Sequence, residues 1–224
     1  MNVRIARYLD GARSATGHVV IVDVFRAFTT AAFCIAAGAR EIVLVSDHEQ
    51  ALAMKRDDPG VFLSGEIGGR PIPGFDAGNS PSAIERLDLG GRRVVQRTSS
   101  GTQGVVAATG ATEILLGSFV IAEATARYLQ EHADDVTVVS MGEQGILESS
   151  EDDACAGYLA ARLRGERPDV AAIIASLWEH EDPNWPEWFP RRDAELACAV
   201  DRFDFALPVS RENGLLVARA AIAR

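Results

Sequence analysis

Carboxylates, a guanidinium and a set of hydroxyls recur in this sequence at the ends of short apolar runs. Asp23 and Arg26 stand at the end of "HVVIVDV" (18–24), and Glu66 and Asp76 follow "VFLSG" (61–65). Thr98, Ser99, Ser100, Gly101 and Thr102 close "RRVVQRT" (92–98) and open the stretch after it. Ser118 ends "EILLGS" (113–118), and Glu143 follows "VTVVSMG" (136–142). Carboxylate oxygens hold hard divalent cations such as magnesium. An arginine fork, or free main-chain N–H groups at a helix start, hold oxyanions.

Each group also has a structural use. Asp23 reads as a magnesium ligand or nucleophile beside a phosphate clamp at Arg26, or as a helix N-cap with a local ion pair. A nucleophilic D-x-D pair is excluded, because Phe25 stands two residues after Asp23. "TSSGT" (98–102) offers hydroxyls and main-chain N–H groups to an anion, or serves as a Ser/Thr-rich helix cap; it lacks the GK[ST] of a P-loop. "GSF" (117–119) is read the same way. In "GEQGILESSEDDACAG" (142–157), Glu148 and Asp153 read as a solvated face, while Glu151 and Asp152 stay open as metal ligands or a general base. His18, His48, His132 and His180 share no ligand spacing, and Cys34, Cys155 and Cys198 form no CxxC pair and read as reduced thiols.

The elements that position these groups follow from periodicity. β-Branched runs at 18–24, 41–46, 61–65, 92–98, 113–118 and 136–142 read as strands. Between them, 26–38, 47–56, 100–110, 120–132 and 150–165 read as helices, and Ser80 with Pro81 starts a short one. Strand–helix alternation at roughly 20–25-residue spacing predicts an α/β fold, a mostly parallel or mixed sheet with helices on both faces. The 224 residues form one domain with a C-terminal elaboration from about Pro168, where 180–193 is loop-like, "WPEWF" (185–189) packs that segment or lids the site, and 214–222 is a late strand. A net charge of −10 argues against nucleic acid and anionic membrane as partners, and no apolar run reaches the ~18 residues of a membrane helix. Asp10 and Arg13 interrupt any signal-peptide core, so a cytoplasmic protein is expected.

The stretch "GEIGGRPIPGFDAGNSP" (65–81) spends glycine and proline freely and buries little, as a surface loop or a ligand-closing loop would. Together with "VDVFRAFTTA", "TSSGT", "GSF" and "GEQG…EDDACAG", in that order, it resembles the ComB-like family, the 2-phosphosulfolactate phosphatases. The resemblance runs from about Val19 to Gly157. It departs from the family pattern at Ser100, where Asn is usual, and at Phe28, where Thr is usual.

The resemblance implies a three-layer α/β/α fold and a magnesium-dependent phosphatase acting on a small anionic phosphorylated substrate, 2-phosphosulfolactate, in a step toward coenzyme M. On this reading Asp23, Arg26, Glu66 and Asp76 are catalytic, and Asp23, Glu66, Asp76 and Glu143 hold Mg2+. Asn79, Ser80, Thr98, Ser99, Ser100, Gly101, Thr102 and Ser118 contact substrate, and self-association into a homo-oligomer is compatible with the chemistry. A phosphatase for another small phosphorylated hydroxy acid, and a non-catalytic anion-binding module, are the alternatives.

Overall fold

The computed structural model describes residues 1–179 and 185–222, so His180 and the first part of the loop expected at 180–193 lie outside the described residues. The strands are β1 (Asn2–Arg7), β2 (Gly17–Val22), β3 (Glu41–Leu44), β4 (Phe62–Ile67), β5 (Arg70–Pro71), β6 (Arg93–Arg97), β7 (Ala111–Gly117), β8 (Asp135–Ser140), β9 (Leu207–Glu212) and β10 (Leu215–Ala218). They form one sheet in the order β1-β8-β2-β7-β9-β10-β3-β6-β4-β5. Two parallel groups, β1-β8-β2-β7 and β3-β6-β4, lie on either side of the hairpin β9–β10, which pairs antiparallel with β7 and with β3.

Alternation along the strands sorts side chains to the two faces. In β2, Val19 and Ile21 join one apolar cluster, while Val20 and Val22 join the other. The first face is covered by α1 (Tyr8–Ser14), α2 (Ala27–Ala36), α4 (Pro81–Ile84) and α5 (Gly101–Ala107). The second is covered by α3 (His48–Asp57), α6 (Ala122–His132), α7 (Ser150–Leu163) and α8 (Val170–Trp178). The result is the expected three-layer arrangement. Burial of a Val, Leu or Phe contributes about 1.5–3 kcal/mol, and Ile21, Leu115, Leu116 and Phe119 are all fully buried.

Caps fall where the sequence suggests. Asp47 accepts the Glu49 N–H at the start of α3, and Ser80 accepts the Ala83 N–H at the start of α4 with Pro81 in its first turn. The C-terminal segment holds the late strand expected at 214–222, as β10. It also adds α9 (Arg191–Ala197) against α4 and the strand β9, and β9 and β10 stand at the middle of the sheet. All three cysteines are free thiols, and burial pushes Cys34 up to about 12, which makes it a packing residue. Among the described residues, no helix is long and apolar enough to cross a membrane.

Candidate active site

The parallel strands deliver their carboxyl ends to one side of the sheet, where a cavity of about 450 Å3 opens. Asp23, Arg26, Glu66, Asn79, Ser99, Ser100 and Glu143 all line it, so seven residues singled out from the sequence converge. Glu148, Glu151 and Asp152, from the loop after β8 and the first turn of α7, face them.

Main-chain N–H groups hold the three buried carboxylates in place. Asp23 Oδ1 accepts from Ala27 N at 3.0 Å, and Oδ2 accepts from Gly101 N at 2.7 Å. Glu66 Oε1 accepts from Ser99 N at 2.5 Å; its Oε2 accepts from Gly69 N at 2.6 Å and from Ser99 Oγ at 3.1 Å. Asp152 Oδ1 accepts from Val24 N at 2.7 Å, and Oδ2 from Gly142 N at 2.9 Å. Gly101 has to be glycine here, because a Cβ would come within 2.8 Å of Asp23 Oδ2 and 2.9 Å of Phe28 Cζ.

These bonds revise the expected role of "TSSGT". Its Ser99 and Gly101 N–H groups are already donated to Glu66 and Asp23, so the anions this loop binds are the protein's own carboxylates. Thr98 and Thr102 satisfy each other inside the turn, and Ser100 Oγ donates to Gly142 O at 2.7 Å. Ser118 does not reach the cavity; its hydroxyl pairs with Thr29 Oγ1 at 2.7 Å in the core.

Asp76 is the other correction. Expected beside Asp23 and Glu66 as a catalytic and metal-binding carboxylate, it does not line the cavity. Both its oxygens accept from Lys55 Nζ, at 2.7 and 2.5 Å, and Oδ2 also accepts from Leu63 N at 2.8 Å. The glycine-rich turn brings the chain back beside β4, so this side chain clamps the loop to α3. Ser80 likewise turns away from the cavity, donating to Asp193 Oδ1 at 2.9 Å. Asn79 stays: it is buried, lines the cavity, and its Oδ1 has no hydrogen-bond partner among the described residues.

Electrostatically the site is a concentration of like charge. Burial pushes the Asp23 carboxyl up to about 7, with Glu66 and Glu151 adding to the rise and the Ala27 and Gly101 N–H groups opposing it. Burial also holds Asp152 well above the carboxylate range, reinforced by Asp23 and Glu151. Of the lining residues only Arg26 carries a fixed positive charge, and it already pairs with Asp193 at 2.8 Å. Among the described residues, no three of His, Cys, Asp and Glu stand in a finished metal cage. The donor set is nevertheless all hard oxygen, and magnesium binds through one or two carboxylates while keeping waters. A divalent cation beside Asp23, Glu66 and Glu143 would offset the like-charge cost recorded by the raised carboxyls, so the residues present fit that ion.

Of the two uses read for "WPEWF", the structure brings its end to the site: Trp188 and Phe189 line the cavity, and the Arg26 guanidinium lies 4.2 Å from the Phe189 ring centroid and 5.8 Å from that of Trp188. Asp153, read as a solvated-face residue, pairs with Arg7 at 3.0 Å away from the cavity, whereas Glu148, read the same way, lines it.

Comparison with known proteins places this geometry in context. A family model described as 2-phosphosulpholactate phosphatase matches residues 6–195. A Thermus thermophilus protein named "probable 2-phosphosulfolactate phosphatase" is 41% identical over 184 residues, covering 80% of this chain and 76% of its own. A Gloeobacter violaceus protein of the same name is 35% identical over 215 residues, covering 88% of this chain and 90% of its own. One from Caldicellulosiruptor saccharolyticus, again so named, is 36% identical over 168 residues, or 73% of this chain and 69% of its own.

Proposed function

The chain belongs to the 2-phosphosulpholactate phosphatase family of phosphoric monoester hydrolases, and we propose that it hydrolyses 2-phosphosulfolactate to sulfolactate and phosphate with magnesium as cofactor. The observation that carries this reading is the convergence of Asp23, Glu66 and Asp152, buried and each fixed by main-chain donors, in one cavity with Arg26. A substrate bearing phosphate, carboxylate and sulfonate cannot enter so acidic a cavity on Arg26 alone.

Asp23, Glu66 and Glu143 are the residues that would hold the ion, which when bound supplies charge neutralisation and Lewis-acid polarisation at the phosphoryl group. The chain's own groups do the rest. Arg26 orients a phosphoryl oxygen. Asn79 offers its unpartnered amide oxygen as an acceptor to a donor on the substrate or a bound water. Asp152, whose carboxyl burial and the neighbouring Asp23 and Glu151 hold above the usual carboxylate range, exchanges a proton with the attacking water or the departing alkoxide. Water adds to phosphorus, the ester P–O bond breaks, and the alkoxide takes up the proton.

The test is phosphate release from 2-phosphosulfolactate in EDTA, then with magnesium restored, set against phospholactate and phosphoglycerate. Release that needs magnesium and favours the sulfonated ester is expected. Full turnover in EDTA would overturn the metal requirement, and preference for another phosphorylated hydroxy acid would replace the substrate. A cavity that binds phosphate without turning over any ester would make the chain an anion-binding module.

A further inference from the structure

Asp193 lies in the first turn of α9, 167 residues from Arg26, and its side chain is fully buried. Its Oδ2 accepts from Arg26 Nη1 at 2.8 Å. Its Oδ1 accepts from Ser80 Oγ at 2.9 Å, from Ser82 N at 3.0 Å and from Ser82 Oγ at 2.5 Å. One carboxylate therefore joins the arginine after β2, the turn that carries Asn79, and α9. A buried carboxylate with a charged donor and three neutral ones is satisfied, whereas an arginine that lost this partner would be left as a buried charge in need of another.

The arrangement also settles which edge of Arg26 is used up. Both Nη1 hydrogens are spoken for, by Asp193 Oδ2 and by Trp188 O at 2.9 Å, and one on Nη2 reaches Gly69 O at 3.4 Å. Phe189 covers one face of the guanidinium plane. Among the described residues Nε–H has no partner, and with Nη2, whose bond to Gly69 O is its one long contact, it makes the side-on fork that matches two oxygens of a phosphate.

We propose that Asp193 is a positioning residue for the phosphatase reaction: by taking Nη1, it fixes the guanidinium of Arg26 so that its Nε/Nη2 edge is the one presented to an oxyanion of the substrate. The inference rests on the reading of the cavity as a phosphoester site. It makes α9 and the aromatic segment before it part of the binding machinery, although neither contributes a group that reacts. Arg26 then brings direction more than net charge, since the pair it forms with Asp193 is neutral.

Asp193→Asn keeps the shape and removes the charge. Asp193→Glu keeps the charge, and Ser82→Ala removes one of the other bonds to the same carboxylate without touching Arg26. Two readouts are needed. The first does not depend on activity: phenylglyoxal modification of Arg26, followed by mass spectrometry. Arg26 should be protected in the parent protein and in Ser82→Ala, and should react at least about tenfold faster in Asp193→Asn, the factor that loss of about 1.4 kcal/mol of local holding energy gives. The second is the split of kinetic constants on the folded protein. KM for the phosphoester should rise about tenfold or more in Asp193→Asn, fall back toward the parent value in Asp193→Glu, and stay unchanged in Ser82→Ala. Equal Arg26 reactivity in the parent and Asp193→Asn overturns the proposal. So does a KM rise of the same size in Ser82→Ala, which would mean a general loosening of the fold. If the parent turns over no phosphoester, the proposed reaction fails while the modification experiment still decides whether Asp193 holds Arg26.

Discussion

Asp152 accepts the main-chain N–H of Val24 at 2.7 Å, which ties the first turn of α7 to the residue directly after Asp23. Two carboxylates 129 positions apart in sequence thereby share one short piece of backbone, and Asp23 adds to the burial that raises the proton affinity of Asp152. The pairing places both acids at one end of the cavity.

Asp152→Asn tests it. The amide still accepts one main-chain N–H through its oxygen but cannot ionise or relay a proton. Turnover should fall about 10²-fold or more, the usual worth of general acid–base help. The unfolding temperature should hold or rise, because loss of an acceptor is set against relief of buried like charge. Unchanged kcat in the folded variant would remove Asp152 from the chemistry.

Asp76→Asn should behave in the opposite way. Its oxygens serve Lys55 and Leu63, and Asn can keep the Leu63 N–H while losing the ion pair. A partly exposed pair of this kind contributes up to about 1 kcal/mol, so a small drop in thermal stability with kcat and magnesium dependence intact is expected. A large loss of kcat at normal stability would bring Asp76 back into the site.

Gly69→Ala probes the aromatic wall. Gly69 has φ +82, and a Cβ there would sit 2.3 Å from Trp188 Cζ3, so the indole must move. Left-handed backbone adds about 1 kcal/mol of strain for alanine. Shifted tryptophan emission with a raised KM is the expected pair of effects, since Trp188 O also holds Arg26. Unaltered emission and KM would show that Trp188 has no fixed place over the cavity.

A charged cluster lies away from the cavity. Arg219 meets Glu41 and Glu212, each at 2.5 Å, and Arg93 meets Glu41 at 2.6 Å, joining β3, β6 and the β9–β10 hairpin. Arg219 and Ser210 hold Glu212 down at about 2; at Glu41 burial pushes upward, but the bonds from Arg93 and Arg219 outweigh it and the carboxyl is lowered. A depressed carboxyl contributes stability that is complete above its unfolded value, near 4.5 for Glu, and is lost as pH falls toward the folded one. Arg219→Ala should therefore lower the unfolding temperature at pH 7 and matter much less at pH 3. A deficit of equal size at both values would deny the ionic origin.

Much of this was legible in the residues themselves. Periodicity located β2, β3, β4, β6, β7 and β8, and their polar ends gave Asp23, Arg26, Glu66 and Glu143, because a parallel strand must deliver its last residues to the same side of the sheet. Three things were hidden. β1 is an edge strand in which only Val3 is buried, so its alternating Arg and apolar residues carry no core signal. Asp76 looks like a site residue by its neighbours, yet which way a turn aims one carboxylate is decided by Lys55, 21 positions earlier. Asp193 stands in "PRRDAEL", a helix start like any other, and only the three-dimensional meeting with Arg26, Ser80 and Ser82 gives it a role.

The hairpin at the centre of the sheet has a consequence for the order of assembly. β7 and β3 have no hydrogen bonds to each other; residues 207–218 stand between them, with Leu207 opposite Leu116 and Leu216 opposite Leu44. During synthesis the two parallel groups would thus be complete as separate pieces of sheet, in touch only through their helices and loops and each with an unpaired strand edge, before the segment that zips them together leaves the ribosome. Exposed edges of that kind invite pairing with other chains, and distant partners slow the closing step. The nascent chain should therefore be most vulnerable to aggregation just before its last strands arrive, and Asp193, which emerges shortly ahead of them, would reach Arg26 only as the two halves come together.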